Sequence, residues 1–228
     1  MARRLPAVHE LFLESGDGST LHAWHVEADG PLLLYFGGNA EEVSGMLEAI
    51  GDPLHGETPG AGWLLVDYRG YGLSEGRPGE AALVADALQW FDHLSALPQT
   101  RAARKYAFGR SLGSGVAVAL AKARQLDGVI LATPYDSLAA VAKRYYGYLP
   151  VDWLLRHRFD SIAAAPALRA PLLCLIAERD EVIPPIHAER LYAAWGGPKR
   201  RVLLAGAGHN TADSHPLFWG EIRQFLKK

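Results

Sequence analysis

One pentapeptide, Gly-Arg-Ser-Leu-Gly at residues 109–113, constrains this chain more than any other stretch. It follows the apolar run 106–108 and precedes the small-residue run 114–121, an arrangement that predicts a strand, a sharp turn and a helix. A G-x-S-x-G sequence in that context places a serine hydroxyl above the edge of a parallel sheet. Glycine is expected at 109 and 113 because strand and helix approach closely there. The pentapeptide alone also fits a glycine turn with a helix-capping serine.

Short apolar runs alternate with helical periodicities along the rest of the chain. Strands are predicted at residues 9–14, 20–27, 31–36, 63–66, 106–108, 128–132, 172–177 and 201–204. Beyond the helix after the serine, helices are predicted at about 40–50, 83–94, 186–195 and 216–228. The first two strands are joined through Asp17-Gly18, which indicates a hairpin at the sheet edge. This order predicts an α/β fold with a mostly parallel eight-stranded sheet flanked by helices.

The length and composition predict one domain. A chain of 228 residues that is 49% hydrophobic can bury a substantial core. Only the segment at about 134–166, rich in Tyr, Arg and Ala, departs from the strand and helix alternation. We therefore predict a single domain over residues 1–228 with a small helical cap inserted at about 134–166.

Charge and residue usage argue against several classes of function. The net charge is −2 and no long run of like charge occurs, which argues against nucleic-acid binding. The single cysteine, Cys174, excludes an internal disulfide, and no histidine pair has helical metal-ligand spacing. No phosphate-binding glycine loop appears, so no cofactor and no metal are predicted. No apolar stretch approaches the roughly 18 residues of a membrane span, and a cytoplasmic protein is predicted.

Three polar residues follow predicted strands at the edge where ligands bind in open parallel sheets. Ser111 follows the fifth strand, Asp180 the seventh and His209 the eighth. Of nine histidines, His209 is the one in a glycine loop just past a strand, whereas His22 and His25 read as ordinary strand residues. The order of serine, acid and histidine is one in which catalytic triads occur.

Each of these residue types meets a chemical need of acyl transfer. Ser111 is a weak nucleophile while protonated and needs a neighbouring base. His209 can take that proton near neutral pH, since an imidazole has a pKa of roughly 6.5. Asp180 would accept a hydrogen bond from the other ring nitrogen and stabilise the imidazolium. The backbone N–H groups of Leu112 and Asn39 are the predicted oxyanion hole.

Other carboxylates compete for the role of the acid. Glu178 and Glu181 flank Asp180 and are alternatives to it; Glu178 fits the strand end and Glu181 fits a solvated position. Asp67 follows the fourth predicted strand. Its predicted work is structural, either pairing with Arg69 or accepting from loop amides.

With these residues placed, the chain resembles the α/β-hydrolase superfamily and, within it, the Bem46-like serine hydrolases. The resemblance covers about residues 32–225 and rests on the segments 67–76, 109–113, 133–138, 158–161, 180–184 and 208–210. It implies acyl hydrolysis by relatives that include esterases and thioesterases acting on acylated proteins. One departure stands out. The family usually has His-Gly-Asn-Ala at the oxyanion turn, and Gly37 stands in place of that histidine. The Asn39 donor survives, but the rigidity of the loop is put in question.

The sequence therefore predicts a serine hydrolase of carboxylesterase or thioesterase type that acts on a small-molecule or acylated substrate. Two alternatives stay open. A peptidase of the same fold could use Arg144, Arg156 and Arg158 to bind a carboxylate, although these also fit a solvated helix face. A binding protein could keep the fold without turnover, because fold alone never guarantees activity.

Cap aromatic residues are candidates for binding the acyl group of the substrate. At helical spacing they fit packing of the cap equally well. These residues are Tyr145, Tyr146, Tyr148 and Trp153.

Overall fold

The computed structural model describes residues 7–51, 58, 60–145 and 157–227. Its strands are β1 (Val8–Glu14), β2 (Thr20–Val26), β3 (Leu32–Phe36), β4 (Gly62–Val66), β5 (Lys105–Arg110), β6 (Gly128–Ala132), β7 (Leu172–Ala177) and β8 (Lys199–Leu204). Its helices are α1 (Gly45–Gly51), α2 (Glu80–Ala96), α3 (Leu112–Ala123), α4 (Leu138–Tyr145), α5 (Ser161–Ala164), α6 (Pro185–Ala194) and α7 (Pro216–Leu226).

The eight strands form one sheet in the order β1-β2-β4-β3-β5-β6-β7-β8. β1 and β2 form the expected antiparallel hairpin at one edge, and β2 pairs antiparallel with β4. The pairs from β4 through β8 are parallel. The fold is the predicted α/β-hydrolase fold, with a mostly parallel eight-stranded sheet flanked by helices.

Two hydrophobic layers cover the two faces of the sheet. The fully buried β3 contributes Leu34 to one layer and Tyr35 to the other, because successive side chains of a strand point to opposite faces. The first layer includes Trp90 of α2, and the second includes Phe218 of α7. Because β3 is buried on both faces, its sequence is a continuous apolar run and does not alternate between apolar and polar residues.

The position of β3 determines where a ligand can bind. The chain passes from β3 to β4 on one side and returns to β5 on the other side of β3. Such a reversal opens a crevice beyond the carboxyl ends of the strands. Phe36 at the end of β3 pairs with Gly109 of β5, so the turns after these two strands are neighbours.

The helix predicted at about 40–50 is wrong in its first half, since α1 begins only at Gly45. Ala40 has a φ of 57°, which no right-handed helix accommodates. The Glu41 carboxylate instead accepts a hydrogen bond from the Gly38 N–H at 2.6 Å. Residues 38–41 therefore form a turn whose geometry is set by this side chain.

The two ends of the connection from β6 to β7 lie next to each other. They are joined by hydrogen bonds from Leu138 N–H to the Arg158 carbonyl at 2.8 Å and from Ile162 N–H to the Asp136 carbonyl at 2.9 Å. Two chain ends that are hydrogen-bonded to each other are compatible with an inserted segment between them. The division into one domain and a cap at about 134–166 stays a prediction.

Candidate active site

The serine turn lies between β5 and α3 and has a strained backbone. Ser111 has φ 50° and ψ −116°, a conformation that L-residues rarely adopt. A Cβ on Gly109 would lie 2.3 Å from the Gly113 carbonyl oxygen, and one on Gly113 would lie 1.9 Å from the Phe36 carbonyl oxygen. The close approach expected at both glycines is therefore present.

The structure brings the three sequence-predicted side chains together. His209 Nε2 lies 2.9 Å from Ser111 Oγ, although the two residues are 98 positions apart. His209 Nδ1 lies 2.9 and 2.8 Å from the two carboxylate oxygens of Asp180. The Asp180 carboxylate also accepts from the N–H groups of Val182 at 3.0 Å and Ile183 at 2.7 Å, which fixes its orientation. These contacts form a continuous chain from hydroxyl to imidazole to carboxylate.

The two carboxylates that compete with Asp180 bond to backbone amides. Glu178 accepts from the Gly206 N–H at 2.7 Å, and Glu181 accepts from the backbone N–H of His209 at 3.2 Å. Hydrogen bonds from the backbone N–H groups of Glu181 itself and of His209 lower the pKa of Glu181. Within the described residues, the carboxylate of these three that bonds the imidazole is that of Asp180.

The turn after β3 lies directly beside the serine. A Cβ on Gly38 would be 3.6 Å from the Cβ of Ser111. The amide of Gly38 is already used by Glu41, so it is not free to bind a substrate oxygen. That the N–H groups of Asn39 and Leu112 form the oxyanion hole stays a prediction.

Two tyrosines of the loop after β4 hold this turn. Tyr68 Oη donates to the Gly37 carbonyl at 2.9 Å in a buried contact, and Tyr71 Oη donates to Asn39 Oδ1 at 2.9 Å. The loop at 67–76, part of the family resemblance, thus supports the neighbouring turn.

Sequence reasoning missed the contacts of Glu41 and Arg110. Arg110 Nη1 lies 2.9 Å from Glu41 Oε2, which links the turn after β3 to the residue that precedes Ser111. In a predicted helix Glu41 reads as a solvated residue. The sequence feature that could have indicated these contacts is the position of Glu41, three residues after Gly38 in the glycine pair that follows β3.

Asp67 is structural, as predicted, and of its two predicted contacts it makes the one with a loop amide and not the one with Arg69. Its Oδ2 lies 2.7 Å from Nδ1 of the fully buried His22 and accepts from the Leu73 N–H at 3.3 Å. Arg69 instead forms a two-bond ion pair with Asp86 of α2, at 2.8 and 2.5 Å. His22 is therefore a buried partner of Asp67 rather than an ordinary strand residue, because the antiparallel pairing of β2 and β4 brings it to the end of β4.

Of the candidate acyl-binding aromatics, the structure describes Tyr145. Its Oη lies 3.0 Å from the carbonyl oxygens of both Glu181 and Val182, which share its one hydroxyl proton, so the end of α4 lies against the loop that carries Asp180. The other candidates, with Arg156 of the peptidase hypothesis, lie outside the described residues: Tyr146, Tyr148 and Trp153.

The described ranges contain neither a metal-binding cluster nor a helix that could span a membrane. No group of three or more His, Cys, Asp or Glu side chains there is arranged to hold a metal ion. No helix in the same ranges has the length and apolar character needed to cross a bilayer. The cytoplasmic location stays a prediction.

A family model, curated relatives and solved structures that are similar to this chain include hydrolases and esterases. The family model described as "Serine aminopeptidase, S33", a hydrolase family, matches residues 32–162. An uncharacterized protein of Mycobacterium tuberculosis is 39% identical over 97% of this chain and 80% of its own length. The α/β hydrolase domain-containing protein WAV2 of Arabidopsis thaliana is 30% identical over 99% of this chain and 80% of its own. The acetyl xylan esterase of a Paenibacillus species superimposes with a TM-score of 0.76 at 18% identity, covering 100% of this chain and 85% of that one.

Proposed function

This chain belongs to the α/β-hydrolase superfamily, and from that premise we propose that it is a serine hydrolase that cleaves an ester or a thioester. The observation that carries the proposal is the 2.9 Å contact between Ser111 Oγ and His209 Nε2, on a strained turn at the crevice of the sheet. The Asp180 carboxylate behind the imidazole supplies the third member of a triad. The activity that we propose is of carboxylesterase or thioesterase type.

In the acylation step, Ser111 Oγ bonds to the carbonyl carbon of the substrate while His209 Nε2 takes the hydroxyl proton. Asp180 accepts the hydrogen bond from Nδ1, which holds the tautomer and stabilises the imidazolium. The imidazolium then donates its proton to the leaving alkoxide or thiolate as the carbonyl carbon–oxygen or carbon–sulfur bond breaks. An acyl group remains on Ser111.

In the deacylation step, water repeats the role of the hydroxyl. His209 takes a proton from the water, the water oxygen bonds to the acyl carbon, and the proton returns to Ser111 Oγ as the acyl bond breaks. We assign the negative oxygen of both intermediates to the N–H groups of Leu112 and Asn39. Loss of one such donor typically costs about 3 kcal/mol of barrier.

Steady-state hydrolysis of p-nitrophenyl acetate and butyrate tests this proposal. Ser111→Ala removes the attacking oxygen and should lower kcat/KM by at least about 10³-fold, since the remaining groups give only residual catalysis. Ser15→Ala, in the hairpin turn between β1 and β2, is the control for loss of a serine hydroxyl elsewhere. Equal rates for wild type and Ser111→Ala would refute the proposal.

A second candidate is an aminopeptidase of the same fold, and the description of the matching family model favours it. The same triad would then release an amine. Aminoacyl p-nitroanilides assayed beside p-nitrophenyl esters separate the two: we expect the ester to turn over faster, and efficient release from unprotected aminoacyl anilides alone would favour the peptidase.

A further inference from the structure

Three donors converge on the carboxylate of Glu41, and each belongs to a different part of the site. Tyr35 Oη on β3 donates to Oε1 at 2.5 Å, the Gly38 N–H donates to Oε2 at 2.6 Å, and Arg110 Nη1 donates to Oε2 at 2.9 Å. The Glu41 and Arg110 side chains are only 15% and 18% exposed. One carboxylate therefore connects the turn after β3 to the residue before Ser111.

Glu41 also fills the space beside Gly37. A Cβ at Gly37 would lie 3.0 Å from Cδ of Glu41 and 3.1 Å from Cγ1 of Val43. Gly37 leaves this position without a side chain, and the carboxylate of Glu41 packs there. This contact with Glu41 restricts the movement of the turn after β3, whose rigidity the sequence left open.

The bond to Glu41 determines which amide of the turn is available to a substrate. Because the Gly38 N–H is directed at Oε2, it cannot also bind an oxygen above Ser111. A weaker bond from the Glu41 N–H to the Gly38 carbonyl, at 3.4 Å, closes the turn on itself. The Gly38 carbonyl and the Asn39 N–H lie in one peptide plane, so this second bond also restrains the direction of the Asn39 N–H. A donor fixed before the reaction stabilises developing charge without the cost of reorganising.

The charge of Glu41 would by itself oppose the reaction, because a carboxylate near a developing oxyanion repels it. Arg110 supplies the compensating positive charge, and the Tyr35 hydroxyl supplies a neutral donor. Burial, and next the charge of Glu41, raise the pKa of Tyr35 well above its ordinary value, so the phenol stays protonated as that donor. The charges of Glu41 and Arg110 thus offset each other beside the turn, and Asp213 also interacts electrostatically with Arg110.

We propose that Glu41 is a positioning residue that fixes the Asn39 amide for oxyanion binding, and that Arg110 is the counter-ion that makes its charge tolerable. This inference rests on the proposed serine hydrolase function. It adds a residue pair that makes no hydrogen bond to the His209 ring among the described residues, and that acts through the backbone of the turn.

Kinetics of Glu41 variants on p-nitrophenyl butyrate test the proposal. Glu41→Ala should lower kcat about 10²-fold, the loss typical of a misplaced oxyanion donor, with KM changed less than about threefold. Glu41→Gln keeps an acceptor for Gly38 and should recover at least tenfold of that loss. Glu221→Gln is the matched control, because Glu221 is 16% exposed and paired with Arg200 at the far end of the sheet.

A double-variant cycle tests the counter-ion. Arg110→Met leaves the Glu41 charge uncompensated and should lower kcat more than Glu41→Gln does. Adding Glu41→Gln to Arg110→Met should then raise kcat, because the repelling charge is gone. A purely structural pair gives the opposite result, with the double variant no better than Arg110→Met.

Amide hydrogen exchange supplies a readout that does not depend on activity. In folded wild type the Gly38 amide should exchange slowly, and in Glu41→Ala at least tenfold faster, with amides of β3 unchanged. Thermal unfolding shows whether Glu41→Ala is folded; should it not be, Glu41→Gln carries the comparison alone, with a kcat below that of Glu221→Gln.

The outcomes distinguish failure of the positioning role of Glu41 from failure of the proposed hydrolase function. Wild type that turns over the ester together with Glu41 variants at full kcat would overturn the positioning role and leave the hydrolase proposal standing. An unchanged Gly38 exchange rate in Glu41→Ala would also overturn it. Wild type that neither hydrolyses esters nor reacts with a fluorophosphonate would defeat the proposed function, and this inference with it.

Discussion

Gly113 at the start of α3 packs against the Phe36 carbonyl oxygen at the end of β3, so closely that a Cβ there would lie 1.9 Å from that oxygen. Both partners in this contact are backbone, and neither can rotate away. The contact therefore holds the helix that follows Ser111 against the strand that precedes the neighbouring turn. The relative positions of nucleophile and oxyanion turn depend on it.

Gly113→Ala should destabilise the protein by about 3 kcal/mol, because an added methyl group must displace packed backbone. The measurement is the free energy of unfolding in urea. Gly45→Ala is the control: Gly45 begins α1 with open space around it, and alanine there should be neutral or stabilising by up to about 1 kcal/mol. Equal stabilities for Gly113→Ala and wild type would contradict the packing described here.

Asp180→Asn should lower kcat on p-nitrophenyl esters about 10⁴-fold, because an amide no longer holds the productive tautomer of His209 or stabilises its imidazolium. Glu181→Gln should retain kcat within about tenfold, since Glu181 contacts the backbone N–H of His209 and not its ring. Thermal unfolding of both variants controls for folding. A loss in Glu181→Gln as large as that in Asp180→Asn would contradict the assignment of the acid.

The stability of the fold should fall as pH drops below about 6.5, with His25 contributing. Burial lowers the pKa of His25, which lies on β2 opposite His9 and Leu64. The unfolded chain then binds more protons at this residue than the folded one, so stability rises with pH in the window below the ordinary imidazole pKa and is lost as pH falls through it.

Urea unfolding at pH 7.5 and pH 5.5 checks this dependence. His25→Gln should lose less stability between the two values than wild type does. His9→Gln removes an exposed imidazole from the same strand pair and serves as the control. Parallel losses in wild type and His25→Gln would show that His25 does not contribute.

The fold and the three distant side chains could be predicted from the sequence because each has a local signal. The strands before Ser111 and Asp180, β5 and β7, are almost wholly buried, and each residue follows its strand within three positions, whereas His209 lies in the glycine loop after the more exposed edge strand β8. The close approach at Gly109 and Gly113 was likewise expected from the turn alone. These features depend on short stretches whose chemistry is unambiguous.

The contacts that could not be predicted join residues far apart in sequence. Glu41 read as helical because its neighbours favour a helix, yet its carboxylate bonds to Arg110, 69 positions away, and the turn forms instead. The partners predicted for Asp67 were its near neighbours Arg69 or the loop amides, and neither indicates His22, which the sheet brings to it across 45 positions. Ion pairs follow the spatial order of strands, and that order is not the order of the chain.

Labelling by a fluorophosphonate tests whether Ser111 is an activated nucleophile. The reagent phosphonylates a serine oxygen only where a base and an oxyanion hole activate it, so the folded protein should gain one phosphonyl adduct, found by peptide mass spectrometry on Ser111. His209→Gln should abolish the adduct while Ser15→Ala keeps it. A folded wild-type protein left unlabelled, or labelled at another residue, would contradict the account.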